Sequence, residues 1–249
     1  MRAALATEFA KFVRARVPVT TTALLALGIA VLCAAMLGAL TSGDPQLVAK
    51  LGALADPGGW VGFLATASQI TAVGGLLGFG VVIAWLFGRE FSDGTITGLF
   101  GLPVGRGTIA AAKLAVYGVW SCVVALVLAV ALVLLGLVSG LGPLPPEAGV
   151  PLARQVAVAV LTAALALPAA WAATLGRGLL AGVGTIIAVV VAAQVAVFSG
   201  LGAWFPFSAP GMWAVGAPVS AVQLALVAPV AALFMVAVIV AWRRLQLDR

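Results

Sequence analysis

Two acidic and three basic residues stand close together in GREFSDGTITGLFGLPVGRGTIAAAK, Gly88 to Lys113. They are Arg89, Glu90, Asp93, Arg106 and Lys113, in a chain with only seven acidic and thirteen basic residues. Carboxylates beside cations could do acid–base work, but at neutral pH that chemistry most often recruits histidine, and the sequence has none. The other acids, Glu8, Asp44, Asp56, Glu147 and Asp248, fall at the edges of apolar runs or in loops. None sits in mid-run, where a proton relay or ion site needs one. Cys33 and Cys122 lie alone inside apolar runs, without the ligand neighbours of a metal site. No stretch matches GxxxxGK[ST], so the chain is not expected to bind ATP through a P-loop. The spacing in the patch describes a docking piece instead. Asp93-Gly94 is a turn signal, and Ile96, Leu99, Phe100 and Leu102 follow at helical spacing. Pro103 stops that helix, and Arg106 and Lys113 return the chain to the membrane interface. A short helix exposing apolar side chains calls for a protein partner; a solvated loop that only fixes topology has no need of them in register.

The elements that carry this patch follow from composition. Of 249 residues, 64% are hydrophobic and 8% charged, against about 25% charged in soluble domains. That excludes a soluble fold and leaves one all-α, polytopic membrane domain over 1–249. Six runs reach the length of about 20 apolar residues that crosses a bilayer: 19–40, 61–87, 114–138, 153–175, 178–201 and 217–241. Only Gly176, Arg177 and Gly178 separate the fourth and fifth, which forces an antiparallel hairpin. Pro168 and Pro229 are expected to kink the fourth and sixth. The net charge of +6 does not imply nucleic acid, because the cations mark the ends of spans. With the N-terminus cytoplasmic, eleven Lys and Arg fall inside and only Lys50 and Arg154 outside. This positive-inside bias places both termini in the cytoplasm of a multi-pass plasma-membrane protein.

Residues 1–17 read as an interfacial helix before the first span. Leu5, Phe9, Phe12 and Val13 share one face, with Arg2, Glu8, Lys11 and Arg14 largely elsewhere; a frayed cytoplasmic tail is the plainer reading. A cleaved signal peptide is disfavoured by the length of the following apolar run. Residues 41–60 read as a modest outer loop with Asp44, Lys50 and Asp56. The last outer connection, Ser199 to Pro218, is apolar, aromatic and broken by Gly and Pro. It fits either a re-entrant piece or an ordinary aromatic belt. Within the spans Ser68, Gln69, Thr71, Thr162, Gln194 and Gln223 are polar and uncharged. Gln69, Gln194 and Gln223 are candidates for a substrate path, although hydrogen bonding between helices also explains such residues. Gly74 with Gly78, and Gly178 with Gly182, have the spacing of close helix contacts.

The pattern Glu90-x3-Gly94-Thr95, then Pro103-x2-Arg106, then Lys113 at the next span, resembles the ABC type-2 permeases. The interfacial helix, the six spans and the segment before the sixth span extend this resemblance over essentially the whole chain. It implies that the helix after the second span is a cytoplasmic coupling helix, seated in a groove of a separate P-loop ATPase subunit. Glu90, Phe91, Asp93, Gly94, Thr95 and Leu99 then lie at that contact, and Pro103, Arg106 and Lys113 hold the return arm. It further implies a second permease copy, identical or different, with ATP and Mg held by the partner and no cofactor in this chain. The implied function is a non-enzymatic permease subunit exporting a hydrophobic or amphipathic substrate, such as a drug, antibiotic or lipid-like molecule. A membrane immunity or sensor subunit that borrows the fold is the alternative.

Overall fold

A computed structural model describes residues 1–42, 46 and 58–246; the expected loop charges Asp44, Lys50 and Asp56, and the terminal Asp248 and Arg249, lie outside them. Eleven α-helices follow in order among the described residues: α1 (Arg2–Val13), α2 (Arg16–Thr41), α3 (Gly59–Ser92), α4 (Ile96–Phe100), α5 (Arg106–Val138), α6 (Gly149–Leu165), α7 (Pro168–Leu175), α8 (Leu179–Phe198), α9 (Ala209–Ala214), α10 (Ala221–Ala225) and α11 (Val227–Arg243). Among the described residues six stretches are long and apolar enough to cross a membrane: α2, α3, α5, the α6–α7 pair, α8 and the α10–α11 pair. All six expected spans are present. The second and third are longer than hydropathy marked: α3 continues to Ser92 and α5 begins at Arg106, so Glu90 and Lys113 are helical.

The central helix is α3, which packs against α2, α5, α6, α7, α8 and α9. Leu64, Phe79, Ile83, Leu86 and Phe87 on it are fully buried. Much of α2 and α8 remains exposed, with Leu24, Leu27, Ile187 and Val191 facing outward; in a bilayer such surface meets lipid tails at no hydrophobic penalty.

Both prolines break their spans. Between Leu165 and Pro168 the helix gives way to short turns, and the Leu167 N–H reaches back only to the Ala164 carbonyl. The Ala163 carbonyl, left without its usual partner four residues on, accepts from the Tyr117 hydroxyl at 2.9 Å. The sixth span breaks at Leu226, three residues before Pro229.

The connections sort to the two ends of the bundle as the charge pattern requires. At one end Arg106 and Arg177 donate to the Leu245 and Gln246 carbonyls, which follow the last helix. This end also holds α1, α4 and the α7–α8 link. At the other, Trp60 Nε1 donates to the Gly142 carbonyl at 3.2 Å; the 199–218 stretch packs toward this end too, with Arg154 over the Trp213 ring at 5.2 Å. That stretch folds inward: α9 packs on α3 and α6, and Gly211 faces Ala72. Ala72 lies thirteen residues into α3, about 20 Å along it, so the stretch is re-entrant.

Trp242 closes the core at the first end. It is fully buried, edge-on to Phe87, and its Nε1 donates to Thr174 Oγ1 at 3.0 Å. Trp242→Phe keeps an aromatic ring against Phe87 but loses the indole N–H and part of a fully buried side chain, while the Thr174 hydroxyl keeps its hydrogen bond to the Ala170 carbonyl. It is expected to cost about 1–2 kcal/mol, one hydrogen bond plus a small void, seen as a drop in melting temperature of the detergent-purified chain.

Candidate functional site

The patch begins where α3 ends. Gly94 adopts φ +67, a left-handed conformation that glycine enters without a Cβ clash, and this ends the 34-residue helix. The turn brings Thr95 back over the last helical residues, and its hydroxyl donates to Glu90 Oε2 at 2.5 Å. Helix α4 then lies with Ile96 and Leu99 turned inward, both buried in the core. This corrects the sequence expectation that these residues are offered to a partner. A five-residue helix cannot stand alone, so its apolar side chains go to the nearest apolar surface, the bundle itself. The exposed surface is Asp93, Gly94, Thr95, Thr97, Gly98, Gly101, Leu102 and Pro103. Phe91 is half-buried against the core, and Arg106 stacks over the Phe100 ring at 4.3 Å.

Beneath this surface lies a charge cluster. Lys113 is fully buried, two turns inside α5. Its Nζ donates to Glu90 Oε1 and to Glu8 Oε2, each at 2.7 Å. Lys11, at the margin, lies 3.3 Å from Glu8 and 3.8 Å from Glu90. The Trp242 ring centre is 5.8 Å from the Lys113 ammonium, within cation–π range. Arg89 Nε also lies 3.9 Å from Glu90 Oε1, so both carboxylates are matched by cations where an isolated buried charge would be prohibitive. The cluster ties α1, α3 and α5 together at the root of the exposed segment, with α11 alongside. Lys113 was expected to hold the return arm at the membrane interface; it is instead the centre of this tie.

Glu8 was placed among the outward charges of α1, yet it is 3% exposed. The buried stripe of α1 is Ala4, Glu8 and Phe12, with Phe12 against Trp85 and Trp120, while Leu5, Phe9 and Val13 face away from the bundle. The apolar face expected from the sequence is therefore split, because the bundle offers a cation as well as aromatic rings. One signal was available: Glu8 is the only acid among the first 43 residues.

The three glutamines separate. Gln69 and Gln194 line one cavity of about 670 Å³. Gln223 does not line it; its side chain accepts from the Ser220 backbone N–H, and the Ser220 hydroxyl accepts from the Gln223 backbone N–H. That reciprocal pair is a capping box at the start of α10, a local structural role. Gln155, not singled out beforehand, is fully buried and donates to Thr71 Oγ1 at 2.7 Å, joining α6 to α3.

The family model described as ABC-2 family transporter protein matches residues 4–194. A search of curated proteins finds no match. The matched stretch runs from the start of α1 through most of α8 and contains Glu8, Glu90, Lys113, Gln69 and Gln194. Six membrane-competent helices, an N-terminal helix bound to the bundle and a short helix between the second and third spans accompany that match. The chain belongs to the ABC-2 transporter family.

Proposed function

We propose that this chain is the permease subunit of an ATP-driven exporter in the plasma membrane. A separate P-loop ATPase subunit, binding ATP and Mg, docks on the exposed surface from Asp93 to Pro103. The observation that carries this reading is the pairing of that surface with the buried tie under it. A push on a flexible loop would be lost in local motion. A push on this segment passes through Glu90 to Lys113 and Glu8, and so to α5 and α1 together. The end bearing α1, α4 and the last helical turn of α11 is cytoplasmic, in keeping with its arginines and lysines. Two such permeases, identical or different, complete the transporter, and the cargo is hydrophobic or amphipathic.

Gly98 tests the docking. A Cβ there meets nothing within 4 Å, so Gly98→Trp projects outward without disturbing the fold. With the ATPase subunit co-expressed, the wild-type chain is expected to retain it through purification and to stimulate ATP turnover. Gly98→Trp and Leu102→Asp should keep the wild-type melting temperature but weaken retention at least about tenfold, the scale of losing one central interface contact. Full retention in both variants, identified by the GxxxxGK[ST] peptide in mass spectrometry, would show that the ATPase binds elsewhere. A wild-type chain that purifies alone, with no effect on ATP turnover, would remove the exporter reading and favour an immunity or sensor role.

A further inference from the structure

The cavity holding Gln69 and Gln194 lies between α2, α3, α6, α8 and the re-entrant 199–218 stretch, within a single copy of the chain. Its volume of about 670 Å³ falls within the range of roughly 300–1,000 Å³ that accepts drug-sized ligands. Among the described residues no charged side chain lines it. Two of its four polar side chains are already committed: Thr162 donates to the Val158 carbonyl and Ser208 to the Gly202 carbonyl. The amides of Gln69 and Gln194 make no hydrogen bond to protein among the described residues. Leu32, Val73 and Gln194 are exposed at its edge, so the cavity opens sideways, on the exposed apolar flank of the bundle.

These features restrict the occupant. The walls are apolar apart from two neutral amides, each able to donate and to accept. An amide facing hydrocarbon gains by finding a hydrogen-bond partner. A charged group would enter with no counter-charge and lose its hydration. We infer that this cavity binds a neutral amphiphile drawn from the bilayer, an apolar body carrying an uncharged hydrogen-bonding group that Gln69 and Gln194 recognise. The inference rests on the exporter reading only in identifying that molecule with the cargo. It narrows the cargo class to uncharged molecules and places the first binding step inside one copy, beneath the re-entrant stretch.

Two probes with one skeleton test it: N-phenyl-1-naphthylamine, which is neutral, and its anionic analogue 1-anilinonaphthalene-8-sulfonate. Fluorescence titrations use the full chain in lipid nanodiscs, with empty nanodiscs subtracted. The neutral probe is expected to give saturable, protein-dependent binding. Ala193→Phe and Gly211→Leu fill the cavity from opposite walls, and the Cβ at Gly211 meets only Ala72 at 3.7 Å. Each is expected to weaken binding at least about tenfold, by removing the enclosed volume. Gln69→Leu with Gln194→Leu keeps the shape and should weaken it about fivefold, the equivalent of one neutral hydrogen bond. The sulfonate should show no signal sensitive to these variants. Neutral binding that is unchanged by both filling variants overturns the proposal, as does equal, variant-sensitive binding of the sulfonate. If one filling variant does not fold, the other decides. The titration needs no ATPase, so its failure leaves the coupling reading intact, and failure of ATPase retention leaves this site standing.

Discussion

Lys113→Met is expected to destabilise the folded chain by about 3–5 kcal/mol, the cost of breaking a buried ion pair from one side. The methionine fills much the same space, so the loss is electrostatic and not a cavity. Glu8 and Glu90, 3% and 2% exposed, would then face one another without the buried ammonium they share, leaving Lys11 at 3.3 and 3.8 Å and Arg89 Nε at 3.9 Å from Glu90 as the remaining cations at the margin. Thermal melting of the purified chain, followed by size-exclusion fluorescence, should show a large fall or complete loss of the monodisperse peak. The combination Glu8→Gln, Glu90→Gln and Lys113→Met removes all three charges while keeping the shapes. It should recover most of the stability, because a neutral buried set has no desolvation penalty to offset. A wild-type melt for Lys113→Met would mean that the cluster is not closed in the membrane. A triple variant as unstable as the single one would mean that the charges serve a contact beyond these three helices.

Gly88→Val should cost about 3 kcal/mol, at the upper end for overpacking a helix contact. A Cβ at Gly88 falls 2.7 Å from the Leu179 nitrogen and 2.8 Å from the Gly178 carbonyl carbon. Both are backbone atoms and cannot rotate aside, so α3 and the start of α8 must separate. The glycine sits two residues before Glu90, and the shift therefore reaches the charge cluster as well. Gly118→Val is the control, since a Cβ at Gly118 meets nothing within 4 Å. It should melt within about 0.5 kcal/mol of wild type, as surface changes do. If the two valine variants lose equal stability, helix propensity and not close packing sets the cost.

Much of the fold was legible in the sequence. The six spans were, because a segment that satisfies its own backbone in lipid announces itself by local apolar length. So were the breaks ahead of Pro168 and Pro229, since a missing N–H is also a local fact. Legibility declined where partners are distant. The spacing of Ile96 and Leu99 showed a helix with an apolar face but not the direction of that face, which the bundle beside it decides. Gln223 looked like its fellow glutamines until Ser220 was seen to cap it. The small-residue pair Gly74 and Gly78 divides likewise: Gly78 abuts Leu25, while Gly74 opens into the cavity.

The sequence alone determined a six-span membrane chain with most of its cations on one side of the spans and a short polar-bounded helix after the second span. Those properties depend on transfer free energies and backbone constraints summed over neighbouring residues. Only the tertiary structure decided that Glu8 meets Lys113 across 105 positions, that the short helix turns its apolar side inward, and that five elements enclose the Gln69–Gln194 cavity. Charge pairing and enclosed volume depend on which helices touch and at what rotation. Helices with equally apolar surfaces can meet in many ways, and hydropathy does not distinguish them.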